Sequence, residues 1–253
     1  MKATGIVAEY NPFHYGHKYH LQKARELSGA DVVVAAMSGN FVQRGEPAII
    51  DKWQRVSCAL ENGADLIFEI PFAFVCQAAS QYGKAAVDIL AKAGVSSIVF
   101  GSETGNLEEL LEIASLSFNV DNFKENMKKG YSYPASYGYM ADSYGPNDIL
   151  AISYLKALQN YPDITPFCIK RTNEYNDLKL SGEHASARAI REALLRGVDV
   201  SAYTPMAKQL AASPQVRLAD YFQMIRTRLL TSTPEELRDI FLVDEGIENL
   251  MIK

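Results

Sequence analysis

Three of the chain's four histidines, His14, His17 and His20, fall within seven residues, inside the stretch NPFHYGHKYH at 11–20. Imidazole titrates near neutrality and offers two ring nitrogens, so such a cluster can move protons, ligate a metal or bind phosphate. As metal ligands they are awkwardly spaced: on a helix His14 and His20 stand six positions apart, off a common face. No aspartate or cysteine joins them, and only Glu9 is near, so a zinc site held by the protein is not expected. As packing residues one ring is easily satisfied, three less so. The phosphate reading fits the local order of elements better. An apolar run ending at Glu9 reads as a strand, a turn with Asn11, Pro12 and Gly16 follows, and a helix begins near His17. In a parallel α/β sheet ligands sit beyond the carboxyl ends of the strands. Free N–H groups and the positive end of the helix dipole attract an anion there. His14 and His17 would meet that anion, with Gly16 letting it approach the backbone.

A second piece lies near the fourth histidine. SGEHASARAIREALLRG, 181–197, reads as a polar loop with Ser186 as helix cap, then a basic helix. Arg188 and Arg191 are three apart and share a face, and Arg191 could grip a pyrophosphate with both prongs of its guanidinium. Taken alone this is also what a solvated basic helix looks like; joined to the first motif it reads as the other half of one anion site. Neither a G-x-x-x-x-G-K-[ST] loop nor a G-x-G-x-x-G turn follows the first strand, so a P-loop and a dinucleotide fold receive no support.

The elements that must hold these groups are legible as an alternation. TGIVAEY, DVVVAAMSG, DLIFEIP, SSIVFGSE and FCIKR read as strands, the second and fourth nearly all apolar as strands buried on both faces should be. Between them KYHLQKARELSG, KWQRVSCALENG and AASQYGKAAVDILAKAG carry helical spacing and stop at glycine. NLEELLEIASLS adds a helix with Glu108 and Glu109 at its start. Repeated βα units imply an α/β, Rossmann-like parallel sheet with right-handed crossovers. Residues 130–147, GYSYPASYGYMADSYGPN, interrupt the alternation with five tyrosines, either a self-packed surface loop or a base-stacking lid. DILAISYLKALQN then resumes helix. After residue 200 only helices are expected: MAKQLAAS, VRLADYFQMIRTRLL and TPEELRDIFLV, divided by Pro214 and Pro234. The expected organisation is therefore residues 1–200 as one ligand-binding domain and 201–253 as a helical C-terminal segment.

Composition narrows the class. The chain has 253 residues, 48% hydrophobic and 22% charged, with a net charge of −5. That is ordinary globular usage without a global basic field, so any nucleic acid must meet a local patch. Cys58, Cys76 and Cys168 are odd in number and widely spaced, which points to a reducing compartment rather than a disulfide framework. No apolar run approaches about 18 residues, and the start MKATGIVAEY is too soon polar for a signal peptide. The expectation is a cytoplasmic protein without a membrane span; oligomeric state has no signal in the sequence.

HYGH (His14 to His17) together with SARAIR (Ser186 to Arg191) resembles the paired signature of the H-x-G-H nucleotidyltransferases, with Ala187 and Arg188 where small hydroxyl residues are commoner. Longer stretches are similar to the bacterial tRNA(Met) cytidine acetate ligase family: GIVAEYNPFHYGHKYH, SGNFVQRGEPAIIDKWQR, GADLIFEIPF, FGSE, PNDILAISYLKAL and EGIENL. The resemblance covers essentially the whole chain, although family members continue beyond EGIENLMIK, so a truncated C-terminal segment is expected. It implies a ligase: acetate attacks the α-phosphate of ATP to give acetyl-adenylate and pyrophosphate, and the wobble cytidine of elongator tRNA(Met) takes the acetyl group to become N4-acetylcytidine. A cofactor adenylyltransferase with a phosphorylated acceptor, and a nucleotide- or RNA-binding remnant without turnover, are the alternatives.

The resemblance places ATP on Val7, Ala8, Glu9, Tyr10, Asn11, Pro12, Phe13, His14, Tyr15, Gly16, His17, Lys18, Tyr19 and His20, and on Gly101, Asn147, Arg171 and Thr172. Ser186 and Arg191 complete the set at the pyrophosphate. His14, His17 and Arg191 are the expected catalytic groups, stabilising charge as it builds on the phosphates. Mg2+ is expected with the phosphates, held mainly by ATP and water. Arg44, Lys52 and Arg55 are the expected RNA-facing charges. Lys124, Lys128 and Lys129 are weaker candidates, and Tyr131, Tyr133, Tyr137 and Tyr139 could stack bases.

Overall fold

A computed structural model of the chain describes residues 1–116, 144–171, 180, 185–243 and 246–252. Five strands, β1 (Ala3–Ala8), β2 (Val32–Ser38), β3 (Leu66–Ile70), β4 (Ser97–Ser102) and β5 (Thr165–Lys170), form one parallel sheet in the order β3-β2-β1-β4-β5. They are the five stretches that β-branched composition marks in the sequence. Ile6 lies opposite Ala35 and Gly5 opposite Ile98, so β1 is the central strand from which the chain winds outward in both directions. Between β1 and β4 the strand order reverses, which opens a crevice at their carboxyl ends.

Side chains alternate across β2 into two cores. Val33, Ala35 and Met37 face α1 (Tyr15–Ser28) and α2 (Lys52–Glu61), where Leu21, Ala24, Cys58 and Ala59 are buried. Val34 and Ala36 face the other layer, built from the single turn α3 (Phe72–Val75), α4 (Ala79–Lys92), α5 (Leu107–Ser115) and α6 (Pro146–Leu158), with Tyr82, Leu90 and Tyr154 inside it. Burial on both faces is why β2 and β4 carry so few polar residues. The edge strand β3 is exposed at Leu66 and Phe68.

Local chemistry sets the helix ends. Asp51 caps α2 by accepting from the N–H groups of Trp53 and Gln54, 2.9 and 3.1 Å. Gly29 ends α1 at φ 59°, a conformation that suits glycine. The helix expected to begin near His17 begins at Tyr15, because His14 is extended and serves as its cap.

The described chain divides into two compact units, Met1–Gln215 and Val216–Lys253. The first includes α7 (Ala187–Leu195) and α8 (Ala207–Ala212). Thr204 Oγ1 donates to Phe13 O at 2.6 Å and Tyr15 N to Tyr203 O at 3.2 Å, so residues beyond 200 pin the histidine loop from outside. The second unit holds a 3-10 turn (Leu218–Tyr221), α9 (Phe222–Thr231), α10 (Pro234–Arg238) and α11 (Ile247–Ile252), with Arg238 bonded to the buried Glu248 carboxylate at 2.9 Å. The stretches read as VRLADYFQMIRTRLL and TPEELRDIFLV are shorter helices than their periodicity predicts. Among the described residues no helix is long and apolar enough to cross a membrane.

Candidate functional site

The loop that leaves β1 turns sharply: Tyr10 sits at φ 50° and the Asn11–Pro12 peptide is cis. Asn11 is buried, its Oδ1 accepting the Ile49 N–H at 2.8 Å. Phe13 is wholly buried and Tyr10 nearly so, their rings 4.9 Å apart. This apolar plug fixes the start of α1. His14 and His17 then stack with ring centroids 3.6 Å apart, and the His14 N–H donates to His17 Nδ1 at 3.2 Å. Residue N3 of a helix reaching back to the cap N–H is half of a capping box.

That bond assigns the tautomer. Nδ1 of His17 accepts, so the neutral ring carries its proton on Nε2, a donor. Burial drives the His17 pKa well below the usual value, helped by His14, Arg171 and His20 nearby. Burial and Arg171 likewise lower His20 to about 4. His20 Nε2 is buried and bonded to nothing among the described residues.

Arginines approach the pair from two sides. Arg171 follows β5, and its N–H donates to Ser102 O at 2.8 Å. Its side chain lies over Gly101, where a Cβ would stand 3.3 Å from Arg171 Cγ. The missing side chain at 101 thus leaves room for a cation whose charge His17 and His20 both feel. Arg191, on α7, donates from Nη1 to Asn11 O at 2.6 Å across 180 positions of sequence. Ser186 caps α7 by accepting from Ala189 N at 3.0 Å. The histidine motif and the arginine helix therefore meet at one place, beyond the carboxyl end of β1. Glu9 anchors the same corner: it accepts from Gln43 N at 3.0 Å, and burial raises its pKa against the pull of Arg191, Arg55 and Arg44.

The rest of the expected set separates. Val7 and Ala8 complete β1 and pack partly against the cores, and Pro12 is buried in the turn. Tyr15, Gly16 and Lys18 are half-buried in the first turn of α1, whereas Tyr19 is exposed with the Lys23 ammonium 5.8 Å over its ring. Asn147 heads α6, its amide Nδ2 donating to Glu103 Oε1 at 2.6 Å. Thr172, Lys124, Lys128, Lys129, Tyr131, Tyr133, Tyr137, Tyr139 and His184 lie outside the described residues.

Arg55 is a correction. Expected to face RNA, it is fully buried and donates to four carbonyl oxygens, those of Glu9, Ser38, Gly39 and Ile50. Burial lowers its pKa to about 10, and its work is to tie the β1 and β2 loops together. Lys52 pairs with Glu69 at 2.5 Å and lies 5.1 Å over the Trp53 ring, while Arg44 is exposed. Two residues that the spacing did not single out, Glu103 and Asp148, lock the β4 loop to the head of α6. The proline at the first helical position with an acidic residue two places on marks the head of α6 but not its partner Glu103.

Known proteins are similar to this chain. The model of a family described as HIGH Nucleotidyl Transferase matches residues 1–253. The chain is 42% identical to a tRNA(Met) cytidine acetate ligase of Caldicellulosiruptor saccharolyticus, covering all of this chain and 68% of that one. It is 43% identical to the protein of that name from Oenococcus oeni, covering 99% of this chain and 68% of the relative. The crystal structure of Thermotoga maritima TmcAL bound with α-thio ATP superposes with a TM-score of 0.85 at 32% identity, over 99% of this chain and 66% of that one. The chain thus spans about two thirds of the length of these relatives.

Proposed function

The chain belongs to the HIGH nucleotidyl transferases and, within them, to the tRNA(Met) cytidine acetate ligases, and from that membership we propose that it joins acetate to a tRNA cytidine at the expense of ATP. An acetate oxygen attacks the α-phosphorus as the bond to the β-phosphate oxygen breaks, giving acetyl-adenylate and pyrophosphate. The exocyclic amine of the wobble cytidine in elongator tRNA(Met) then attacks the acetyl carbonyl carbon. AMP leaves, the amine loses a proton, and N4-acetylcytidine remains.

The residues supply position and charge, with no covalent enzyme intermediate. His17 donates from Nε2 to a non-bridging oxygen of the α-phosphate, its tautomer held by the His14 N–H. His14, stacked on it, lines the same oxygen, and Arg171 balances the pentavalent charge from the β5 side. Arg191 and the capped start of α7 receive the departing pyrophosphate. Mg2+ would be carried on the phosphates and water. Arg44 and Lys52 are the described RNA-facing charges of this reading, on the Met1–Gln215 unit.

One observation carries the proposal: the 2.6 Å bond from Arg191 Nη1 to Asn11 O, which joins the two distant motifs at one crevice. The experiment is incubation with ATP, labelled acetate and elongator tRNA(Met), followed by nucleoside analysis. Labelled N4-acetylcytidine is the expected product. Pyrophosphate release driven by a phosphorylated small molecule instead of acetate would show a cofactor adenylyltransferase.

A further inference from the structure

Beside the crevice stand aromatic rings that the adenylating site does not use. Trp53, the chain's single tryptophan, is 71% exposed at the head of α2, and Phe72 is 63% exposed at the start of α3. Phe41 packs edge-on against Phe72, with ring centroids 5.3 Å apart. The Lys52 ammonium lies 5.1 Å from the Trp53 ring and pairs with Glu69, three residues before Phe72. All of these groups sit on segments that leave the carboxyl ends of β2 and β3, the edge of the sheet on which the crevice opens. Rings left in water on one face of a folded unit mark a surface that meets something.

The rings are held in fixed register with the histidine loop. Ile49 N donates to Asn11 Oδ1 at 2.8 Å and Gln43 N to Glu9 Oε1 at 3.0 Å, while Arg55 donates to the Glu9 and Gly39 carbonyls together. Within the loop Ala48 N donates to Asn40 O and Val42 N to Glu46 O, both at 2.9 Å, and Lys52 N donates to Asn40 Oδ1 at 3.1 Å. Charge along this stretch is balanced, with Arg44 and Lys52 set among Glu46, Asp51 and Glu69. Such a surface attracts a phosphate chain only weakly. What it offers is π faces, on which any base can stack whatever its sequence. An RNA loop that delivers a cytidine amine to the crevice must also lay its adjoining nucleotides on the surface beside it, and the rings stand there.

We infer that Trp53, Phe72 and Phe41 form a stacking platform for unpaired RNA bases, those adjoining the cytidine whose amine enters the crevice. The inference rests on the tRNA-acetylating reading above. It gives the surface a preference for an open loop over a duplex, which contacts to phosphate alone do not supply.

Fluorescence on the full chain tests it, because all tryptophan emission comes from Trp53. The probes are the anticodon stem-loop of elongator tRNA(Met), the same stem-loop with abasic sugars in its loop, and an RNA duplex of equal length. The intact stem-loop should quench Trp53 to saturation, and the abasic loop and the duplex should not. By anisotropy of the labelled stem-loop, Trp53→Ala and Phe72→Ala should each weaken binding on the order of tenfold, and Trp53→Phe should keep most of it. Acetate-dependent pyrophosphate exchange should run in all three variants as in the unmodified chain, which shows that the fold is intact. Equal quenching by the abasic stem-loop, or an affinity unchanged in both alanine variants, overturns the inference. Self-association of the chain that is lost in Trp53→Ala would make the face an interface between copies and overturns it too. Exchange without any binding of the stem-loop overturns the inference and leaves adenylation standing. No exchange in the unmodified chain overturns the underlying reading and the inference with it.

Discussion

In the folded chain His17 and His20 are held neutral, because burial and the Arg171 charge both disfavour the imidazolium. In the proposed reaction His17 therefore acts as a hydrogen-bond donor rather than a cation, and the arginines carry the positive charge. The same burial makes stability depend on pH. Between the unfolded histidine value near 6.5 and the folded value of about 4 for His20, the unfolded chain binds the extra proton. This penalty is absent above pH 6.5 and grows as the pH falls toward 4. Glu9, whose pKa is raised by burial, titrates in the opposite sense, so the test compares the unmodified chain with His20→Asn. Thermal midpoints at pH 7 and pH 5 should differ less in the variant; an equal drop in both would place the pH response elsewhere. Arg55 gives a second prediction. Arg55→Met leaves several buried carbonyls unbonded, at about 1–3 kcal/mol each, so denaturant unfolding should shift by about 3 kcal/mol or more. Arg44→Ala, at an exposed position, should leave the unfolding midpoint within about 0.5 kcal/mol.

At the scale of elements, the crevice exists because β1 lies between β2 and β4 and the chain winds away from it on both sides. Its rigidity comes from the cores beneath. Leu90 on α4 is wholly buried, and Leu90→Ala should cost about 2–5 kcal/mol in chemical denaturation; a smaller loss would mean that the α4 layer closes up around the gap. The strands β2 and β4 were legible because burial on both faces removes polar residues from their sequence. The histidine loop was legible because its types and spacing are rare. What could not be read was side-chain commitment. Arg55 in a motif looks like any basic residue, and only the fold reveals four carbonyls waiting for it. The bareness of Gly101, where the resemblance places ATP, also admits the Arg171 side chain, which no local pattern shows. The Glu103–Asp148 clamp spans some 45 positions, beyond any local pattern, and periodicity alone overran the helices after residue 216.

At the scale of the whole molecule, a net charge of −5 gives no general attraction for RNA, so the proposed tRNA binding must come from a few local contacts. Affinity should then fall with salt along a shallow slope, a few counterions in size, measured as log Kd against log salt concentration. A flat response would remove phosphate contacts from the account. The central claim is that the imidazole loop and the α7 guanidinium act on one triphosphate. It is tested most directly by acetate-dependent exchange of labelled pyrophosphate into ATP, measured on the unmodified chain, His17→Ala and Arg191→Gln. Exchange should require acetate and should fall on the order of 10²–10³-fold in each variant, with circular dichroism unchanged. Exchange at the unmodified rate in either variant, or none in the unmodified chain, would contradict the account.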